Sequence, residues 1–301
     1  MGIWAHPLAR VRRVSLSRPG YLRLALATVA MLVLIVATGA TVRLTGSGLG
    51  CEHWPGCTGA VSLPAKGYHS YIEFSNRLIA FVTILVTLAA WLGALAADTP
   101  KRVRVLAFAT FFGTFLQAPL GAVTVLYHLN PYLVLSHFLL SLVVLTVGVV
   151  LVREAAALVR GGAPPELLGW VRAGAIVPAV ACGVLVVSGT LATASGPHPG
   201  STVVRRLWSF QPAVYWHVRA TAVFGITFAL LLAYLVRTRS RHVRGALLVL
   251  GLLAVQMVVG EVQYRTQLPW WLVLVHVTLA TTVWTSMAAF VVLLWRPLRA
   301  A

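Results

Sequence analysis

The chain has 301 residues, 59% of them hydrophobic and 10% charged, with a formal net charge of +18. A soluble domain carries about 25% charged residues, so this composition excludes a water-bathed globule. The basic excess lies in short segments between apolar runs and builds no continuous face, which argues against nucleic acid as a partner and for the arginine-rich loops of a membrane protein.

Apolar runs of the roughly 20 residues needed to cross a bilayer recur along the whole chain. They predict eight helices, near 22–42, 73–97, 103–126, 132–152, 171–192, 212–236, 243–263 and 270–295. The first lies too far from the start, and lacks a small-residue cleavage site close behind it, to be a removed signal peptide. Seventeen of the 24 basic residues, Arg10, Arg12 and Arg13 among them, fall in segments on one side of this arrangement. That side is predicted to be cytoplasmic and to hold both termini. The predicted cytoplasmic segments are 1–21, 153–170 and 296–301. They flank two four-helix bundles at 22–152 and 171–295.

The outer connections alternate in length: 43–72 and 193–211 are long, 127–131 and 264–269 short. Self-comparison supports a repeat. Gln117-Ala-Pro-Leu-Gly121 resembles Gln256-Met-Val-Val-Gly260, and each Gln precedes a matched histidine, His137 or His276, by 20 residues. Thr45-Gly-Ser-Gly-Leu-Gly and Ala194-Ser-Gly-Pro-His-Pro both follow an apolar helix. A repeat of four helices places its copies in the same orientation, about an axis along the membrane normal. The expected architecture is two such bundles side by side, each with an interior site.

Ionisable residues inside a membrane are costly and are functional candidates. His137 lies six residues past Pro131, about 9 Å into its helix, and His276 lies at a similar depth past Pro269. His217 stands near the start of the sixth helix. Neutral imidazole is the usual axial ligand of haem iron, and His217 with His276 form a candidate pair across the second bundle. The first-half position equivalent to His217 is Asn76, a poor iron ligand. Glu73 lies one turn before Asn76; it is either a functional carboxylate or a surface partner of Arg77 at i+4. One half therefore reads as a closed electron-transfer site and the other as an open site beside a carboxylate. Cys51 and Cys57 bracket a short outer loop, where a bridge would serve as a staple or as a redox pair. His53 in that loop reads as exposed, and Cys182 as core. Arg77, Arg205, Arg206, Arg219 and Arg265 lie near the outer surface. Arg77 and Arg219 are the best placed to pair with haem propionates, although snorkelling to headgroups explains any one of them. Gln117 and Gln256 read as interhelical hydrogen-bonding residues.

These residues together resemble the haem A synthase family. The resemblance rests on Thr-Gly-Ser-Gly-x-Gly-Cys with Trp-Pro-x-Cys after the first helix, Ile-Glu-x-x-Asn-Arg on the second and His137-Phe on the fourth. Ser195-Gly-Pro-His198, His217, Gln263-Tyr before Pro269, and His276 carry it through the second half. It implies an oxidoreductase that converts the C8 methyl of haem O to a formyl group by successive hydroxylations, supplying haem A to a terminal oxidase. It implies haem b on His217 and His276, haem O at His137, Glu73 as the essential carboxylate, and a Cys51–Cys57 pair. The chain departs from the commoner family pattern at Asn76, where many members have histidine. That departure implies five-coordinate substrate iron, or water or the Asn side chain as sixth ligand. The implied partners are haem O, an electron donor, haem O synthase and terminal-oxidase assembly factors, all at a bacterial plasma membrane. Two other classes stay open on the residues alone. A dihaem cytochrome b explains the histidines but not Glu73, and a small-molecule transporter predicts no Soret absorption.

Overall fold

The computed structural model describes residues 16–299 except 52, 55, 58–63, 65–66 and 201–205. Arg10, Arg12, Arg13, Arg205 and most of the 1–21 segment lie outside the described residues. The helices are α1 (Arg18–Leu44), α2 (Tyr68–Ala96), α3 (Lys101–Leu126), α4 (Pro131–Arg160), α5 (Gly169–Gly174), α6 (Ile176–Ser195), α7 (Phe210–Arg237), α8 (Val243–Arg265) and α9 (Trp270–Trp295). No strand forms among the described residues; one isolated bridge joins Gly162 to Leu298. Eight spans are long and apolar enough to cross a membrane, as expected, with α5 and α6 together making one of them. Side chains such as Ile226, Leu230 and Val258 are well over half exposed, as a lipid-facing surface requires. The protein is a multi-pass membrane protein.

Local chemistry sets the helix ends. The Ser17 hydroxyl caps α1 by accepting from Gly20 N, and the Asn130 side chain caps α4 by accepting from Tyr132 N, each with proline at the start of the helix. Five helices close with an N–H that reaches back five residues: Ser47 to Val42, Thr99 to Ala94, Leu129 to Thr124, Ser240 to Leu235 and Leu268 to Gln263. This closure needs a left-handed residue just before its donor, supplied by Gly46, Asp98, His128, Arg239 and Gln267. The two short turns are alike beyond that, since Leu129 (φ 58°) and Leu268 (φ 59°) are left-handed as well.

Two expected helices differ from the structure. The fifth breaks at Ala175 because Pro178 has no N–H for the Gly174 carbonyl and its ring crowds that oxygen. The fourth continues eight residues past its expected end, to Arg160. The polar pair that seemed to end it, Arg153 and Glu154, is buried inside the protein.

In the first half, α1 packs on α2 and α4, and α3 on the same two helices, closing a four-helix ring. In the second, α6, α7, α8 and α9 close a ring in that order. The rings meet where α9 packs on α1 and α4, and α4 on α6. There Trp284 Nε1 on α9 donates to Thr146 Oγ1 (3.0 Å) and to the Leu142 carbonyl on α4 (3.2 Å). The start of α1 and the end of α9 lie at one end of the molecule, the terminal end; the opposite end is the distal end. Tight apolar clusters fill the terminal half, around Tyr21, Ala94 and Leu151 in one ring and around Phe228, Phe290 and Leu294 in the other.

At the terminal end, Glu154 is enclosed by the guanidinium groups of Arg102, Arg153 and Arg296, each 3.2 Å away. Arg153 also donates to the carbonyls of Arg296 and Pro297, tying α4 to the chain that leaves α9. Replacing Glu154 by Gln leaves a buried arginine among like charges. The expected cost is up to about 3 kcal/mol, below that of a fully buried pair because Arg102 and Arg296 reach solvent. Thermal unfolding in detergent should show a lower midpoint for E154Q; an unchanged midpoint rejects this cluster as a stabilising tie.

Candidate functional site

The distal half is hollow. A cavity of about 1470 Å³ is lined by both rings and runs continuously between them. Two separate interior sites were expected; the structure joins them, because α1, α4, α6 and α9 leave space at the seam between the rings above the level of Trp284. The volume exceeds the roughly 300–1,000 Å³ of an ordinary small-molecule pocket. His137, His217, His276, Asn76, Glu73 and Arg77 all line it.

In the second half, the rings of His217 (α7) and His276 (α9) face each other with centres 6.3 Å apart and planes at 72°. Two imidazoles that bind one metal ion from opposite sides, at about 2.0–2.1 Å per metal–nitrogen bond, put their centres roughly 6 Å apart. Ser188 Oγ on α6 lies 3.2 Å from His217 Nδ1, an orienting contact that leaves Nε2 for a ligand. Gln256 Nε2 donates to the His276 carbonyl at 2.9 Å. Glycines make room for both rings. A Cβ on Gly189 would lie 2.9 Å from His217 Cε1, and one on Gly260 would lie 3.1 Å from His276 Cε1. His276 Nδ1 is buried without a protein partner, at a cost of about 1–3 kcal/mol for such a group. These features fit an iron porphyrin held between the two histidines.

The first half presents a comparable set of residues with different contacts. Asn76 stands on α2 where His217 stands on α7. Its Oδ1 accepts from Thr38 Oγ1 at 2.8 Å, much as Ser188 meets His217, and Gly39 takes the place of Gly189. Gly121 faces His137 as Gly260 faces His276, with a Cβ 3.6 Å from His137 Cε1. One contact fails to match. Ser141 Oγ donates to the His137 carbonyl, and both polar atoms of the Gln117 side chain are buried without partners. His137 Nδ1 is also orphaned. The first half therefore holds one histidine and a set of unsatisfied amide groups. Among the described residues, no three His, Cys, Asp or Glu side chains converge as a metal-binding group, so the histidines occur as one pair and one single.

Glu73 is 4% exposed and anchored on both oxygens. Oε1 accepts from Arg77 and Oε2 from the Cys51 backbone N–H at 2.9 Å. The i+4 ion pair thus forms, but it does so inside the protein at the cavity wall and not at an open surface. Arg77 also donates to the carbonyls of His53 and Gly56, and Ser70 Oγ donates to the Gly50 carbonyl. Cys51 and Cys57 are bridged. The bridged loop, the start of α2 and the carboxylate are one hydrogen-bonded unit. The His53 side chain is exposed and Cys182 is buried, as expected.

The other expected arginines lie elsewhere. Arg219 is exposed, stacks on the Tyr215 ring at 3.6 Å and does not line the cavity. Its position two residues after His217 turns it to the outer face of α7. Arg206 is exposed, and Arg265 pairs with Glu261 at the surface. Sequence reasoning passed over Arg43 and gave His198 no role beyond its motif; both line the cavity. Arg43 follows an apolar run of more than 15 residues, and a cation so placed in a membrane helix was a signal worth following.

The family model for COX15-CtaA, described as cytochrome oxidase assembly protein, matches residues 22–288. A heme A synthase of Symbiobacterium thermophilum is 38% identical over 125 residues, which are 40% of either chain. A heme A synthase of Staphylococcus haemolyticus is 26% identical over 292 residues, covering 91% of this chain and 94% of that one. A protoheme IX farnesyltransferase of Thermus thermophilus is 29% identical over 289 residues, 84% of this chain and 45% of that protein. The chain spans about two-fifths of the length of several of the heme A synthases it matches, the Symbiobacterium one included. Since the family match begins in the first membrane-spanning helix and ends in the last, the chain belongs to the COX15-CtaA family of cytochrome oxidase assembly proteins.

Proposed function

We propose that this protein is a haem A synthase, an oxidoreductase that takes haem O and oxidises its C8 methyl to a formyl group by two hydroxylations and loss of water. The observation that carries the reading is the asymmetry within one cavity. A histidine pair at the spacing of a shared metal stands in one half, and a single histidine near an anchored carboxylate stands in the other. The relatives named heme A synthase support it, and the match to a protoheme IX farnesyltransferase supports a place beside haem O production.

His217 and His276 would hold haem b, and His137 would hold the iron of haem O. Bound iron would supply the oxygen and electron chemistry. The chain's own part is placement. Gly189 and Gly260 admit the ring between the paired histidines, and Ser188 sets the His217 tautomer. Asn76, with Oδ1 held by Thr38, presents an amide where the second half has a histidine. That leaves His137 as the histidine that would hold the iron on its side. Glu73 is held still by Arg77 and the Cys51 N–H. Fixed negative charge there stabilises positive charge developing at the methyl carbon and can accept its proton. Arg77 serves this role by positioning Glu73, and Arg219 serves the lipid boundary. The Cys51–Cys57 bridge acts as a staple for the loop that supplies the Cys51 N–H. The basic segments support a topology with both termini in the cytoplasm of a bacterial cell and the cavity toward the outer face of its membrane. An electron donor and terminal-oxidase assembly factors are the remaining partners of this reading, and the two halves descend from a duplicated four-helix unit.

The test is chromatography of haems extracted after the purified protein is incubated with haem O, a reductant and oxygen. Haem A is expected. Unchanged haem O with an intact Soret band replaces the reading by a dihaem cytochrome b, and absence of Soret absorption replaces it by a transporter. Two variants probe the parts. Glu73→Gln should keep both haems and lower haem A formation by roughly 100-fold or more; a normal rate rejects the carboxylate's role. Gly189→Val should push the His217 ring aside and lower bound haem b by at least half without removing haem O at His137. Haem-to-protein ratios from pyridine haemochrome spectra decide that outcome.

A further inference from the structure

We infer that Arg43 is the carboxylate anchor of the cavity, a fork that holds a propionate of the porphyrin bound there. The inference rests on the haem reading above and assigns a contact to a residue outside that scheme. Arg43 stands one residue before the end of α1 and lines the cavity at its distal rim. Its Nε donates to the His198 carbonyl at 3.2 Å, which fixes the direction of the guanidinium. No acidic side chain pairs with it among the described residues. The other charges on the cavity wall are matched, Glu73 with Arg77 and Glu261 with Arg265. Among the described residues, Arg43 is therefore the uncompensated charge of a largely apolar chamber. An unpaired cation in such a place is costly, and a guanidinium offers two parallel N–H groups that suit a carboxylate.

The loop that aims Arg43 is itself held in place. His198 Nε2 lies 2.8 Å from the Leu268 carbonyl in the α8–α9 turn. Gly48 N donates to the Gly200 carbonyl, and Gly200 has φ +106° with Arg43 Cγ 3.6 Å from where its Cβ would stand. A side chain at Gly200 is thus opposed by its backbone conformation. The fork is preorganised before any ligand arrives, and it stands at the distal rim while the three histidines stand deeper. A porphyrin bound at histidine depth with its propionates toward the rim meets it.

The experiment compares full-length protein prepared without haem against ferric haem b and against its dimethyl ester, with Soret titration as the readout. Wild type is expected to prefer the free acid by about tenfold. Arg43→Gln should bring the two affinities within about twofold, and Arg43→Lys, with charge but no fork, should fall between. Circular dichroism and size exclusion establish that each variant is folded; the Lys variant serves alone if the Gln variant is not. Equal weakening for acid and ester would show Arg43 acting only as a loop tie and overturn the assignment. Equal affinity of wild type for both ligands overturns it too, and is the result expected if a lipid phosphate occupies the fork. Wild type without a Soret band under either ligand overturns the haem reading itself, an outcome distinct from the others.

Discussion

The cavity has to stay open inside a helical bundle whose surroundings exert no hydrophobic pressure to close it or to keep it closed. Packing density in protein interiors leaves few voids larger than a water molecule, yet the distal half holds about 1470 Å³. Small residues where the helices face the imidazoles keep it from filling: Gly39, Gly121, Gly189 and Gly260. The apolar clusters of the terminal half, and the capped turns of the distal end, supply the rigidity that those glycines give up. The placement of every site residue depends on this division of labour between a solid half and a hollow half.

The two halves use one plan with different contacts. Ser188 at His217 corresponds to Thr38 at Asn76, and Gln256 at the His276 carbonyl corresponds to Gln117, which is displaced from that role by Ser141. The second half differs in that its glutamine Nε2 is used and its two rings face each other at metal spacing. Each half keeps orphaned groups on the cavity wall, on Gln117 and His137 in the first and on Gln256, Gln263 and His276 in the second. Buried polar atoms without partners are stable only if something else completes them. The orphaned groups of the first half share the chamber with the anchored carboxylate of Glu73.

Much of this was legible in the sequence, because the relevant signals are local or periodic. Eight apolar runs, the Gln-to-His spacing and the substitution of Asn76 for a histidine can be counted along the chain. The Cys51–Cys57 pairing and the i+4 relation of Glu73 to Arg77 follow from short-range geometry. The rest depends on contacts between distant segments. Nothing in a linear pattern says that Arg219 turns outward to stack on Tyr215, while Arg43 turns inward to a carbonyl 155 residues away. The burial of Glu154 among three arginines hid a continuing helix behind charges that looked like a loop. The merging of two expected sites into one chamber depends on how α9 sits against α1 and α4, a matter of tertiary packing that single-helix periodicity does not carry.

The seam between the halves is pinned at three depths. Arg153 holds the segment after α9 at the terminal end, Trp284 crosses to Thr146 midway, and Gly48 and Arg43 hold the His198–Gly200 segment at the distal rim. Two bodies joined at one level can rock about it; bodies joined at three levels along a common edge cannot tilt toward either side without breaking bonds at another. Alternating access needs such tilting, and these three ties oppose it. What is bound in one half therefore meets what is bound in the other across a shared chamber whose two sides are held at a fixed spacing.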